Sequence, residues 1–128
     1  EIAGLCSSQN IAFAVVLVPS VVDSNPKLWK QALKITNRSE EDYDRHKPYR
    51  RVESHARLRG WPLLNLMSAV EASRNRLYHR HDRHFNVAGN ELAAEEIASF
   101  LLGEPTLLAA PGDGVATGTV AVGRPDPR

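Results

Sequence analysis

Residues 11–18 (IAFAVVLV) form an unbroken apolar run, rich in β-branched side chains and closed by Pro19. A run of this kind has few ways to fold. It is far short of the ~20 apolar residues that a membrane-spanning helix needs, and no basic segment precedes it as in a secretory leader. Its length and the closing proline favour a strand over a buried helix. A strand with no alternation of apolar and polar residues is one buried on both faces, as in a parallel sheet covered by helices.

The rest of the chain alternates to match. Residues 20–44 are polar and irregular, with a short helix expected over Pro26–Ile35, where Pro26 suits the first helical turn. Residues 48–59 are predicted to be a helix with Val52, Ala56 and the stem of Arg59 on one face, stopped by Gly60. Residues 61–66 (WPLLNL) read as a second short strand, and 67–75 as a short helix. Residues 76–86 lack periodicity and read as a loop. Residues 87–102 carry the clearest helix, with Ala93, Ile97, Phe100 and Leu101 at i, i+4, i+7 and i+8, Asn86 as N-cap and Gly103 just past its end. Alternation of this kind specifies a layered α/β fold with a parallel sheet.

Residues 103–128 hold five of the eight glycines and four of the eight prolines. The expected division is therefore a folded part over 1–103 and a Gly/Pro-rich tail over 104–128, irregular or disordered apart from a weak strand tendency at Val115–Val122. The chain opens at Glu1 rather than Met, its single methionine is Met67, and residues 1–9 already read as the last turns of a helix. Two recognisable strands are too few for a complete sheet. The expectation from both features is a piece of a longer protein.

Composition removes several function classes. A net charge of +1 gives no global electrostatic case for nucleic acid or a membrane surface. Arg45, Lys47, Arg50, Arg51, Arg57 and Arg59 make a basic stretch, with Arg74, Arg76, Arg80 and Arg83 beyond it. Glu40, Glu41, Asp42, Asp44 and Glu53 are interleaved or adjacent, which describes a solvated helix face better than a phosphate-binding one. A single cysteine, Cys6, excludes an internal disulfide framework and a cysteine-based zinc site.

The chemistry-bearing segment is Leu77-Tyr78-His79-Arg80-His81-Asp82-Arg83-His84-Phe85-Asn86-Val87-Ala88-Gly89-Asn90. Asp82 and His84 stand two apart just before a helix. In extended backbone such residues point to the same side, so the carboxylate can reach one ring nitrogen of His84. It would fix the tautomer and stabilise the imidazolium formed when the other nitrogen takes a proton, which is the supporting half of a Ser-His-Asp triad.

The pattern Asp82-x-His84-x-Asn86-x-x-Gly89, followed by an alanine-rich helix ending Phe100-Leu101, resembles the last conserved block of SGNH/GDSL esterases. Phe13–Ser20 resembles the strand ending in proline that lies upstream in that family, and Tyr43–Val70 its next helix, short strand and turn. The resemblance covers roughly residues 1–102. It implies the C-terminal part of a three-layer α/β/α, flavodoxin-like domain. It also implies ester hydrolysis through a serine acyl-enzyme, with His84 as general base and then general acid and Asp82 as its orienting partner. The implied substrates are ester-bearing small molecules, carbohydrates or lipids, with no cofactor. Acyl transfer to another acceptor is the alternative within the same fold.

Three departures stand out. Asn65 occupies a position where the family often has Asp, at a site whose role is structural. Arg83 stands between the pair where a small residue is common, putting a bulky cation beside the site. The family's Gly-Asp-Ser nucleophile block and its oxyanion donors, a Gly and an Asn, are not in this chain. Gly112-Asp113-Gly114 carries no serine, and Ser20, just past the first strand, reads as a turn or cap residue. The chain alone is therefore expected to be inactive. A metal-dependent hydrolase using His79, His81, Asp82 and His84 is a further alternative, weakened because Asp82 follows His79 by three residues where the His-x-His-x-Asp-His pattern needs four. A non-enzymatic binding module of the same fold is another. Trp61 is expected to pack on the core, and Trp29 lies in a variable region where it could line a pocket.

Overall fold

The computed structural model describes residues 1–109. Among them the order is α1 (Ile2–Ser8), β1 (Val15–Leu17), α2 (Val21–Ser24), α3 (Pro26–Ile35), α4 (Lys47–Arg59), β2 (Leu63–Asn65), α5 (Met67–Ala72), α6 (Val87–Gly103) and α7 (Pro105–Leu108). β1 and β2 pair in parallel, with Val15 opposite Leu63, Val16 opposite Leu64 and Leu17 opposite Asn65. Parallel neighbours need a long crossover, and α2, α3 and α4 provide it. The mixed α/β class expected from the alternation is the class that forms.

The helix boundaries have local causes. Asn25 caps α3, its Oδ1 accepting from the N–H groups of Lys27 and Leu28 at 3.0 and 3.2 Å, with Pro26 in the first turn. α4 stops at Gly60, which takes a left-handed φ of 65° that L side chains disfavour. The N–H groups of Gly60 and Trp61 then close onto the carbonyls of Arg57 and Ala56, the pairing of a Schellman end. Asn65 ties the layers together: Nδ2 donates to Glu53 on α4 at 2.6 Å, and Oδ1 accepts the Met67 N–H at the start of α5 at 3.0 Å. That double duty suits an amide, with one donor end and one acceptor end.

The core gathers beneath the sheet end. Leu66, Val70, Leu77 and Tyr78 form its buried centre, with Val16 and Leu64 from the strands and Phe85, Ala88 and Leu92 packed against it. Leu66 is completely enclosed, which stabilises the fold by roughly 1.5–3 kcal/mol relative to an exposed leucine. Trp61 packs edge-to-face on Phe13, with ring centroids 5.3 Å apart.

Several expectations are corrected. β1 is shorter than residues 11–18 and half-buried rather than enclosed on both faces, with Ile11 and Val18 more than half exposed. Among the described residues β1 has one strand neighbour, β2, and two strands cannot cover an apolar strand on all sides. On α4, Ala56 is buried as expected, but Val52 faces outward. The inward face instead includes Tyr49 and Glu53, which engage α2 and β2 through hydrogen bonds. Gly103 is the last residue of α6 rather than the one beyond it. Pro105–Leu108 forms a helical turn at the start of the segment read as tail. Gly112-Asp113-Gly114 and Val115–Val122 lie outside the described residues. Among the described residues no helix is long and apolar enough to cross a membrane.

Candidate functional site

Residues 76–86, read as a loop, contain a small hairpin. Tyr78 and Phe85 form an antiparallel bridge. The Asn86 N–H donates to the Leu77 carbonyl at 2.9 Å, and the His79 N–H to the His84 carbonyl at 3.0 Å. A ladder this short, in a polar stretch, leaves no periodicity to detect. The Tyr78 and Phe85 rings sit 4.8 Å apart on its inner side.

The hairpin tip displays the expected pair. His84 Nδ1 lies 3.1 Å from Asp82 Oδ1, and the same oxygen accepts the His84 backbone N–H at 2.9 Å. The route differs from the extended one expected. The His84 N–H also closes onto the Asp82 carbonyl at 2.7 Å, so residues 82–84 form a tight turn. Aspartate side chains favour such turns by bonding their own backbone two residues on. The two side chains meet because the chain folds back on itself.

The electrostatics follow from these bonds. The His84 backbone N–H, and then its ring, hold the Asp82 carboxyl below its ordinary range. Asp82 is therefore ionised at neutral pH. The Asp82 bond orients Nδ1, and Nε2 has no protein partner among the described residues. Both side chains are open to solvent, His84 at 88% and Asp82 at 62% of full exposure.

The segment after the hairpin is fixed by Asn86. Its Oδ1 accepts the Gly89 N–H at 3.0 Å and caps α6, as expected from sequence, and its Nδ2 donates to the Arg76 carbonyl at 2.6 Å. Asn86→Ala removes the cap and should lower stability by about 0.5–2 kcal/mol, read as a reduced midpoint in urea. A variant as stable as wild type would show that the cap adds nothing here.

A second network lies where β1 ends. Ser20 caps α2, its Oγ accepting from the Asp23 N–H at 3.1 Å and donating to the Asp23 carboxylate at 2.8 Å. Its hydroxyl is committed to that cap, as the sequence reading held. Asp23 Oδ2 also accepts from the Tyr49 hydroxyl at 2.8 Å. Arg45 donates to the Asp23 carbonyl at 2.7 Å and pairs with Glu71 at 2.9 Å. Burial first, and then the bond to Asp23, push the Tyr49 hydroxyl up to about 12. Tyr49 thus keeps its proton to higher pH in the folded chain than in the unfolded one, whose tyrosines titrate near ~10. Its contribution is fully present below that pH and lost as pH rises towards 12. Wild type should lose stability more steeply than Tyr49→Phe between pH ~10 and 12, read by denaturant midpoints across that window. Parallel curves would remove Tyr49 as the cause.

Beside the hairpin is a cleft of about 490 Å³. Val21, Val22 and Leu28 form one wall, and Leu77, Tyr78 and Val70 the floor, with Arg76, His79, Arg80 and Arg83 on the hairpin side. Arg83, expected to crowd the pair, is thus part of the cleft wall. Trp29 is not among its lining residues, although its neighbour Leu28 is. His79 faces the cleft while His84 bonds Asp82, so residues clustered in sequence diverge in space. Among the described residues no three His, Cys, Asp or Glu side chains come together as ligands. The metal-dependent alternative therefore lacks a preformed ligand set. Sequence reasoning missed Tyr78, whose buried hydroxyl reaches the Pro19 carbonyl at 2.7 Å. The only signal for it was an aromatic residue opening a polar loop.

The scaffold is a parallel α/β one, with an Asp–His pair just before a capped helix. The family model described as the SGNH hydrolase-like domain of the acetyltransferase AlgX matches residues 6–126, and the chain belongs to that family. No curated protein and no solved structure matches the chain.

Proposed function

We propose that this chain supplies the acid–base half of a serine-dependent acyl-transfer site, with the serine contributed from outside these 128 residues. The observation that carries this reading is the 3.1 Å bond from Asp82 to His84 Nδ1, which leaves Nε2 available to a hydroxyl. His84 takes the proton of the serine as its oxygen attacks the ester carbonyl, then returns it to the departing alkoxide as the C–O bond breaks. Asp82 stays ionised and stabilises the imidazolium between those steps. Water or another hydroxyl then attacks the acyl-enzyme carbonyl, giving its proton to His84, which passes it to the serine oxygen as the acyl–serine bond breaks. No step requires a cofactor.

Ester hydrolysis and acyl transfer differ only in that last acceptor. The family's description as that of an acetyltransferase favours transfer as the second reading. The substrate would be an ester-bearing small molecule, carbohydrate or lipid seated in the cleft beside the hairpin. The test is p-nitrophenyl acetate turnover by the serine-bearing protein, with and without a hydroxyl-rich carbohydrate acceptor. Nitrophenol release with acetate as the product supports hydrolysis, and acetylated carbohydrate supports transfer. Turnover by these 128 residues alone at the rate of the serine-bearing protein would overturn the shared-site reading.

A further inference from the structure

His84 is almost fully exposed, and its ring contacts nothing but Asp82 among the hydrogen-bonded side chains. Its position must therefore be set by the backbone that carries it. That backbone is the hairpin, closed by the Tyr78–Phe85 bridge and the bonds between His79 and His84 and between Leu77 and Asn86. Of the side-chain hydrogen bonds among the described residues, one joins the hairpin to the end of β1: the Tyr78 hydroxyl donates to the Pro19 carbonyl at 2.7 Å, across 59 residues of sequence. Both partners are buried, Tyr78 at 7% exposure and Pro19 fully enclosed. Pro19 lies two residues past the carboxyl end of the parallel strand β1, the edge where open α/β sheets place their reactive groups. The same tyrosine ring packs on Phe85, the residue after His84.

We infer that Tyr78 is a positioning residue: its hydroxyl anchors the hairpin to the end of β1 and so sets where His84 stands relative to the reacting hydroxyl. This rests on the acid–base reading of His84. Displacing a catalytic group by about 1 Å can cost on the order of 10²-fold in rate, and releasing the Tyr78 tie to the end of β1 opens the hairpin to such a shift. Pro19, lacking an N–H, has its carbonyl as its sole backbone polar group. Tyr78→Phe leaves that buried acceptor unpaired while keeping the ring and its packing on Phe85.

The test is a set of single and double variants in the serine-bearing protein, assayed well below each melting temperature. Tyr78→Phe should lower kcat by roughly 10- to 100-fold with KM within about threefold, because the loss acts on placement of the base. In a His84→Ala background the same change should have no further effect, since Tyr78 acts through His84. Tyr49→Phe is the control: it removes a hydroxyl that donates to Asp23 and accepts the Ser20 N–H but makes no hydrogen bond to the hairpin, and should leave kcat unchanged. Amide exchange in the 128-residue chain gives a readout independent of activity. The His79 N–H, bonded to the His84 carbonyl, should exchange faster in Tyr78→Phe than in wild type. Unchanged kcat with a lowered melting temperature would overturn the proposal in favour of a purely structural tie. So would an equal loss in both backgrounds. If His84→Ala itself left kcat intact, the acid–base reading would fail, and the amide result alone would then report on the tie.

Discussion

Replacing His84 with alanine should lower kcat for acyl-ester turnover in the serine-bearing protein by at least about 10³-fold, with little change in KM. The size follows from what is removed. On the proposed reading, loss of the imidazole would leave the serine hydroxyl without a base at neutral pH and the departing alkoxide without a proton donor. Loss of a triad member leaves only the acceleration from binding and oxyanion contacts. The stability cost should be small, because the side chain is 88% exposed. Loss of rate without loss of fold separates this result from simple unfolding. Asp82→Asn should give a large but lesser drop. The amide can still bond the ring, but it carries no charge to stabilise the imidazolium and admits the wrong tautomer. Steady-state kinetics with p-nitrophenyl acetate, beside circular dichroism of each variant, checks both.

The second large effect falls on stability at Gly89. Substituting alanine for glycine inside a helix ordinarily stabilises by up to about 1 kcal/mol. At Gly89 the sign reverses. A Cβ there would lie 2.2 Å from the Leu77 carbonyl oxygen and 2.8–2.9 Å from the Phe85 side chain. The Leu77 carbonyl already accepts the Asn86 N–H, so the hairpin can yield only by losing that bond or lifting off α6. Overpacking costs about 1–3 kcal/mol, and a backbone atom as the obstacle puts Gly89→Ala at the upper end. Gly4→Ala is the internal comparison: it lies in α1 with nothing within 4 Å of its Cβ, and should gain a few tenths to about 1 kcal/mol. Denaturant midpoints moving in opposite directions for the two variants are the expected result. A stabilised Gly89→Ala would mean that hairpin and helix are not in close contact.

Asn86 and Gly89 also explain why the turn into α6 was legible in the sequence. Asn86 is a capping residue placed just before a helix with Ala93, Ile97, Phe100 and Leu101 on one face, and the spacing Asp82-x-His84-x-Asn86-x-x-Gly89 resembles a family block, Arg83 apart. α3 was equally readable, because Pro26 and the capping Asn25 leave few alternatives for its start. The limits of β1 were not legible. An apolar run reports that burial is wanted, but not how many neighbours supply it, and among the described residues β1 has one strand neighbour, β2. The inward face of α4 was misread for a related reason. Tyr49 and Glu53 turn inward through long-range bonds to Asp23 and Asn65, which no helical periodicity encodes. Tyr78 was missed because its partner is a carbonyl 59 residues away. The turn at Asp82 was missed because a two-residue Asp–His spacing is compatible with both an extended and a folded backbone.

The most direct measurement of the central claim is covalent labelling of the serine-bearing protein with a fluorophosphonate, which reacts with a serine only when a base activates it. The account predicts rapid labelling of one serine in wild type and labelling slowed by at least about 10³-fold in His84→Ala. Labelling of His84→Ala at the wild-type rate would contradict it, and the Asp82–His84 pair would then be a surface turn rather than half of an active site.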